Sequence, residues 1–300
     1  MSPKENRPIE HKDRSVVGAE VPASEADARV RLKRIQDYAV YYGEYHKTLV
    51  AELSNYDLVI IDSGTIPDVV KRAQLRSKKT LVVAYLSVGE VRLDSRLLSE
   101  VPEDWLVGEV TPWRSRYVDV RQLGWHTLMQ REAENLLVSE KFDGLFLDTV
   151  DTIEAKALAH LDNVDTGMVQ LINGLRAQFS NAVIVQNRGF KIVDRTLPSI
   201  DAFMYEDLTT NYNPPPLEAP PSQEDSGLYE TIEPDQDLVD QLKDLQRSDE
   251  LVVLALDYAK AEHSAASREI AKHAIEYARE QGFIPFVSVG LLDKLVTYEL

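Results

Sequence analysis

The chain has 300 residues, 44% of them hydrophobic and 28% charged, enough apolar material for one large domain or two smaller ones. Its formal net charge of −17, from 50 acidic against 33 basic residues, argues against nucleic acid or an anionic membrane surface as partner. It would attract a cationic ligand, although acidity also serves solubility alone.

Cysteine is absent, which excludes disulfides, thiolate metal sites and a cysteine nucleophile. No apolar run approaches the ~18 residues of a membrane-spanning helix. Residues 1–28 are polar, carry Pro3, Pro8 and Pro22, lack the apolar stretch of a secretory signal, and read as a tail outside the fold. From about Val30, short apolar runs alternate with amphipathic segments, the pattern of parallel strands joined by helical crossovers. Strands are predicted over Tyr38–Tyr42, Tyr56–Ile61 and Thr80–Leu86, with helices over His46–Leu53 and from Pro67 to about Arg76. The stretch Val91–Arg121, with Trp105, Trp113, Pro102 and Pro112, reads as a long loop of the kind that tends to be functional, with Tyr117–Val120 a short extended piece over the site.

A helix over Trp125–Ser139 leads into the fourth strand, Gly144–Leu147, and an amphipathic helix over Thr166–Phe179 into the fifth, Ala182–Gln186. The sixth strand is Ala202–Tyr205. After it, Asn213–Pro234 carries six prolines and suits a stiff surface loop. Helices over Asp235–Gln246 and Ser264–Glu280, the second stopped by Gly282, flank the seventh strand, Leu251–Leu256. Phe283–Val287 is the eighth. Eight strands with their crossovers predict a (β/α)8 TIM barrel, a single domain over residues 29–300 with the Pro-rich loop at 213–234. The competitor is a doubly wound open sheet, weakened because no Gly-x-Gly-x-x-Gly or phosphate-binding Gly-Lys pattern follows any strand.

The strand ends carry the chemistry. Asp62, Ser87, Asp148, Asn187, Glu206 and Asp257 each close a different predicted strand, and in a barrel those ends converge on one face. Asp and Asn are also common turn and cap residues, so each has a structural reading as well. Two acids on different strands suit glycosidic bond cleavage, and Asp148 with Glu206 is the natural pair. Asp151 would bind sugar hydroxyls or amines or cap a helix; Asp207 reads as a cap. Tyr85, Trp105, Trp113, Tyr205 and Tyr212 are candidate stacking surfaces for sugar rings, with core packing the better expectation for any single one.

Other chemistries have no starting point. His11, His46, His126, His160, His263 and His273 lie on the tail or on predicted helices without a metal-ligand spacing, so no metal is expected. No predicted strand interior carries a Schiff-base lysine, and no Gly-x-Ser-x-Gly elbow occurs.

Four segments in order, YDLVIIDSG (56–64), AYLSVGE (84–90), FDGLFLDTVD (142–151) and FMYEDL (203–208), together resemble glycoside hydrolase family 114, the endo-α-1,4-polygalactosaminidases, and the hydrolase domain of Pel polysaccharide-modifying proteins. The resemblance spans about Tyr38 to Val289. It implies a barrel that cleaves α-1,4-linked galactosamine-containing polysaccharide, a cationic partner, with no cofactor and, as is common in the family, an exported location. By motif position it implies Asp148 as nucleophile and Glu206 as acid/base, roles that expect a raised Glu206 pKa and an ionised Asp148. Asp62, Tyr85, Ser87 and Glu90 would line the neighbouring subsite, and Asp151, Asn187, Tyr205 and Asp257 complete the expected substrate contacts. The alternatives are an α-glycosidase or transglycosylase of other sugar specificity, and a silent carbohydrate-binding barrel.

Overall fold

A computed structural model describes residues 25–216, 227–249, 251–262 and 264–298. In chain order the strands are β1 (Tyr38–Tyr41), β2 (Leu58–Ile61), β3 (Leu81–Ser87), β4 (Glu90–Arg92), β5 (Leu106–Val107), β6 (Ser115–Val118), β7 (Gly144–Asp148), β8 (Val183–Asn187), β9 (Ala202–Glu206), β10 (Thr210–Asn213), β11 (Leu228–Thr231), β12 (Val252–Tyr258) and β13 (Ile284–Ser288). Eight of them, β1-β2-β3-β7-β8-β9-β12-β13, form one parallel sheet in chain order. The seam between β1 and β13 is closed by Tyr42 N–H to the Leu292 carbonyl at 2.7 Å and by the Tyr38 and Phe286 rings, 5.5 Å apart. This is a (β/α)8 barrel. Its strands are nearly uniformly apolar because both faces are covered, one by the barrel interior and one by helices.

The helices follow the expected amphipathic pattern. In α5 (Val164–Gln178), Met168, Leu171, Ile172 and Leu175 are buried on one face. Asp68 caps α3 (Val69–Ser77) by accepting from Val70 N–H at 2.8 Å, and Ser264 caps α8 (Ala265–Glu280) through Ser267 N–H. Gly282, at φ 82°, ends α8 as predicted.

Five boundaries differ. The helix predicted from His46 begins only at Leu49, and Pro67 lies outside its helix because Asp68 is the cap. The stretch read as a long loop holds a three-stranded antiparallel sheet, β4-β6-β5; β6 overlaps the extended piece expected at Tyr117–Val120, and the other two strands are too short for alternation to register in sequence. The described flanks of the Pro-rich stretch form an antiparallel hairpin, β10 with β11, while residues 217–226 lie outside the described residues. The helix α1 (Glu25–Leu32) starts inside the span read as a tail, and buries Ala28 and Leu32 in the core; residues 1–24 lie outside the described residues.

An aspartate precedes four of the barrel strands and bonds sideways at the bottom of the sheet. Asp57 accepts from Gln36 N–H, Asp37 from Asp57 N–H, Asp143 from Val82 N–H and Asp201 from Ile184 N–H, all at 2.8–2.9 Å. These contacts satisfy backbone donors where the ladder ends. Asp201 also pairs with Arg176, and the two side chains are 7% and 12% exposed. Asp201→Ala should therefore lower unfolding stability by about 3 kcal/mol, since it leaves a buried guanidinium unpaired. Urea denaturation checks this; a change below ~1 kcal/mol would show that the clamp is dispensable.

Candidate active site

The upper ends of β3 and β7 are laced together. Val88 N–H donates to the Asp148 carbonyl at 3.0 Å, Gly89 N–H to Thr149 Oγ1 at 2.8 Å, and the Ser87 and Thr149 hydroxyls meet at 2.9 Å. Glycine is required at position 89, because a Cβ there would lie 2.1 Å from Thr152 Oγ1 and 2.3 Å from the Thr149 carbonyl. The segments AYLSVGE and FDGLFLDTVD are thus two halves of one joint.

At the ends of β7, β8 and β9, the side chains of Asp148, Asn187 and Glu206 form a single chain of hydrogen bonds. The Asn187 amide donates to Asp148 Oδ1 at 2.8 Å and to Glu206 Oε2 at 2.6 Å. Tyr85 donates its hydroxyl to Asp148 Oδ2 at 2.8 Å, and Tyr258 donates to Glu206 Oε1. Burial pushes the Glu206 carboxyl above its ordinary range and the Asp148 charge adds to it, against the Tyr258 and Asn187 donors. The arrangement joins two carboxyl groups through one amide, and each has both of its oxygens accepting a hydrogen bond.

Each of these strands turns sharply afterwards. Thr149 (φ 62°), Arg188 (φ 53°) and Asp207 (φ 61°) directly follow the three site residues in the left-handed region. None is glycine, so each turn costs about 1 kcal/mol. Backbone bonds from Arg188 to the Met204 carbonyl (3.0 Å) and from Asp207 to the Leu256 carbonyl (2.9 Å) offset part of that cost.

Arg188 binds Asp151 at 2.9 Å, the Glu206 carbonyl at 2.8 Å and Asp207 at 3.5 Å. Burial, reinforced by the Glu206 charge, pushes Asp207 up to about 8. Glu90, which accepts from the Ser115 hydroxyl, is pushed up to about 7 chiefly by burial. Acid and base forms of several carboxyls therefore coexist here near neutral pH. Among the described residues no group of three or more His, Asp or Glu side chains is arranged to hold a metal ion.

The other sequence-derived candidates divide. Asp62, Tyr85, Ser87 and Glu90 together line a cleft of about 450 Å³, which meets the pair through Tyr85 and its bond to Asp148, and Asp62 also accepts from Gly64 N–H at 2.7 Å. Asp151 sits at the rim with Arg188. Asp257, by contrast, is 2% exposed, and its Oδ1 accepts the backbone N–H groups of Thr209 and Thr210 at 2.7 and 2.8 Å. It braces the turn after β9. Tyr205, on the opposite face of β9 from Glu206, packs outward on Phe190 with ring centroids 4.7 Å apart.

Sequence reasoning missed Tyr258, Arg188 and Tyr42, whose ring lies 5.0 Å from that of Tyr85. Tyr258 and Arg188 each directly follow a predicted polar strand end, the one signal available for them.

The family model of glycoside-hydrolase family GH114 matches residues 20–300. Among solved structures, the glycoside hydrolase domain of PelA from Pseudomonas aeruginosa is 24% identical, with a TM-score of 0.71 over 88% of this chain and 98% of that one. Ega3 from Aspergillus fumigatus, solved in complex with galactosamine, is 13% identical, with a TM-score of 0.66 over 88% of this chain and 94% of that one. TtGalA, an alpha-galactosidase from Thermus thermophilus, is 13% identical, with a TM-score of 0.52 over 85% and 58%. At these identities the likeness is one of fold. No curated protein matches the chain.

Proposed function

This chain belongs to glycoside-hydrolase family GH114, and we propose that within it the protein cleaves α-1,4-linked galactosamine-containing polysaccharide by double displacement. The observation that carries the reading is the single Asn187 amide shared by Asp148 and Glu206. In the first step Glu206 gives its proton to the departing glycosidic oxygen as Asp148 attacks the anomeric carbon, forming a glycosyl ester. In the second, Glu206 takes a proton from water, the water oxygen bonds the anomeric carbon, and the Asp148 carboxylate departs. The raised Glu206 pKa supports the acid role. One nitrogen within bonding distance of both carboxylates favours the ~5 to 5.5 Å spacing of retaining enzymes over the ~6.5 to 9.5 Å of inverting ones.

Three features support an amino sugar. The net charge is −17, Asp62 and Glu90 line the neighbouring cleft, and a neighbour in fold was solved with galactosamine. Asp62, Tyr85, Ser87, Glu90 and Asp151 are the proposed substrate contacts.

The test is release of reducing ends from partly deacetylated α-1,4-galactosaminan, against α-galactosides and α-glucans, at low and high ionic strength. Cleavage of the amino polymer with a KM that rises with salt, and an initial product of α configuration, is the expected result. Cleavage of neutral α-glycans alone would replace the substrate, and a salt-independent KM would remove the charge argument.

A further inference from the structure

We propose that Trp113 is a sugar-stacking platform, which holds one hexosamine ring of the polymer at a subsite outside the bond that is cut. The proposal rests on the polysaccharide reading above and extends it to a residue to which that reading gives no role. The three tryptophans are used in different ways. Trp125 is fully buried and donates its indole N–H to the Val88 carbonyl at 2.8 Å. Trp105 packs over Gly124, where a Cβ would come within 2.0 Å of its ring. Trp113 alone of the three is exposed, at 49%.

That exposure is built. Trp113 sits in a tight turn before β6, closed by Thr111 N–H to the Ser115 carbonyl at 2.8 Å, by Arg114 N–H to the Thr111 carbonyl at 2.9 Å, and by the Thr111 and Ser115 hydroxyls at 2.6 Å. The Leu93 N–H ties Arg114 to the end of β4. The same turn delivers the Ser115 hydroxyl to Glu90, so the platform and the acid cleft share one support.

Trp113 also leans across the mouth of the barrel. Its ring lies 6.1 Å from that of Tyr212 on β10, so an insert that follows β3 meets an insert that follows β9. Tyr212 is 6% exposed and fixed, since a Cβ at Gly227 or Gly290 would lie 2.1 Å from its ring. Tyr212 lies 6.2 Å from Tyr258, whose hydroxyl bonds Glu206. An exposed indole is thus backed by a rigid tyrosine and joined by ring contacts to the proposed acid. A pyranose lays its apolar C–H face on such a ring, and a protonated amino group is drawn to the π face as well.

The test compares wild type with Trp113→Ala and Trp113→Phe on galactosamine oligosaccharides of increasing length. Trp113→Ala should raise KM for the longer substrates about tenfold, with kcat falling much less, and Trp113→Phe should recover most of the affinity. A KM for Trp113→Ala within twofold of wild type at every length would overturn the platform, as would a KM defect that Phe fails to rescue. Tryptophan fluorescence during titration of the uncleaving Glu206→Gln variant gives a second readout, with a change expected that Trp113→Phe abolishes. Should wild type cleave no amino polymer, the proposed function fails, and this titration with hexosamine and neutral hexose oligosaccharides decides the platform separately. A change lost in Trp113→Phe then upholds it, and silence with both sugars overturns it.

Discussion

Asp148→Asn and Glu206→Gln should each lower kcat on the polymer by about 1000-fold or more, with the fold intact, but they should fail differently. Asp148 forms the new bond in the proposed first step, so its amide counterpart should be inactive on every substrate. Glu206 supplies a proton only where the leaving group needs one. An aryl glycoside with an acidic phenol should therefore still release its phenol from Glu206→Gln, and a small anion such as azide should then resolve the glycosyl ester. The pH profile separates them further: burial raises the Glu206 pKa, so the alkaline limb of the wild-type rate marks loss of its proton, and that limb should vanish in Glu206→Gln. Residual polymer cleavage above ~10% of wild type in Asp148→Asn would move the nucleophile elsewhere. Both side chains are half-buried at strand ends and contribute no apolar packing to the barrel wall, so loss of activity is separable from loss of fold.

How much of this was legible follows from where each residue draws its constraint. Barrel strands were readable because each is a short, largely buried apolar run, and six of them stop at a polar residue. Asp148, Asn187 and Glu206 were readable because each breaks an apolar run at its end, and such a break needs a partner. Tyr258 was not, since an aromatic residue after a buried strand reads as core, and its hydroxyl bond to Glu206 depends on a neighbour 52 positions away. Arg188 was hidden for a related reason. It lies beyond the strand end, and only the left-handed turn brings it back over Asp151 and Asp207.

Period and position also misled. Asp257 obeys the strand-end rule yet is consumed by Thr209 and Thr210, because the turn after β9 needs its backbone donors satisfied. Tyr205 sits one residue from Glu206, and alternation along β9 sends it to the other face. Of the β4-β6-β5 sheet only part of β6 was legible, as an extended piece, and the β10–β11 hairpin was not, because their strands are short and partly exposed. These inserts nonetheless shape the mouth of the site through Ser115, Trp113 and Tyr212.

The shared amide of Asn187 makes the sharpest prediction about how the pair is tuned. Asn187→Asp preserves the shape of the side chain but replaces a group that donates to both carboxyls with a third acid. When that acid is ionised it has no hydrogen to give, and its charge lies beside Asp148 and Glu206, so kcat/KM at neutral pH should fall about 100-fold or more. Lowering the pH protonates the new carboxyl and restores one donor, so the residual activity of Asn187→Asp should rise toward acid and its optimum should move below that of wild type. Asn187→Ala has no donor at any pH and should show the loss without the acid recovery. Matching profiles for the two variants would mean that the amide only fills space. A loss below ~3-fold in both would mean that Asp148 and Glu206 hold their positions and charge states without it, through Tyr85 and Tyr258 alone.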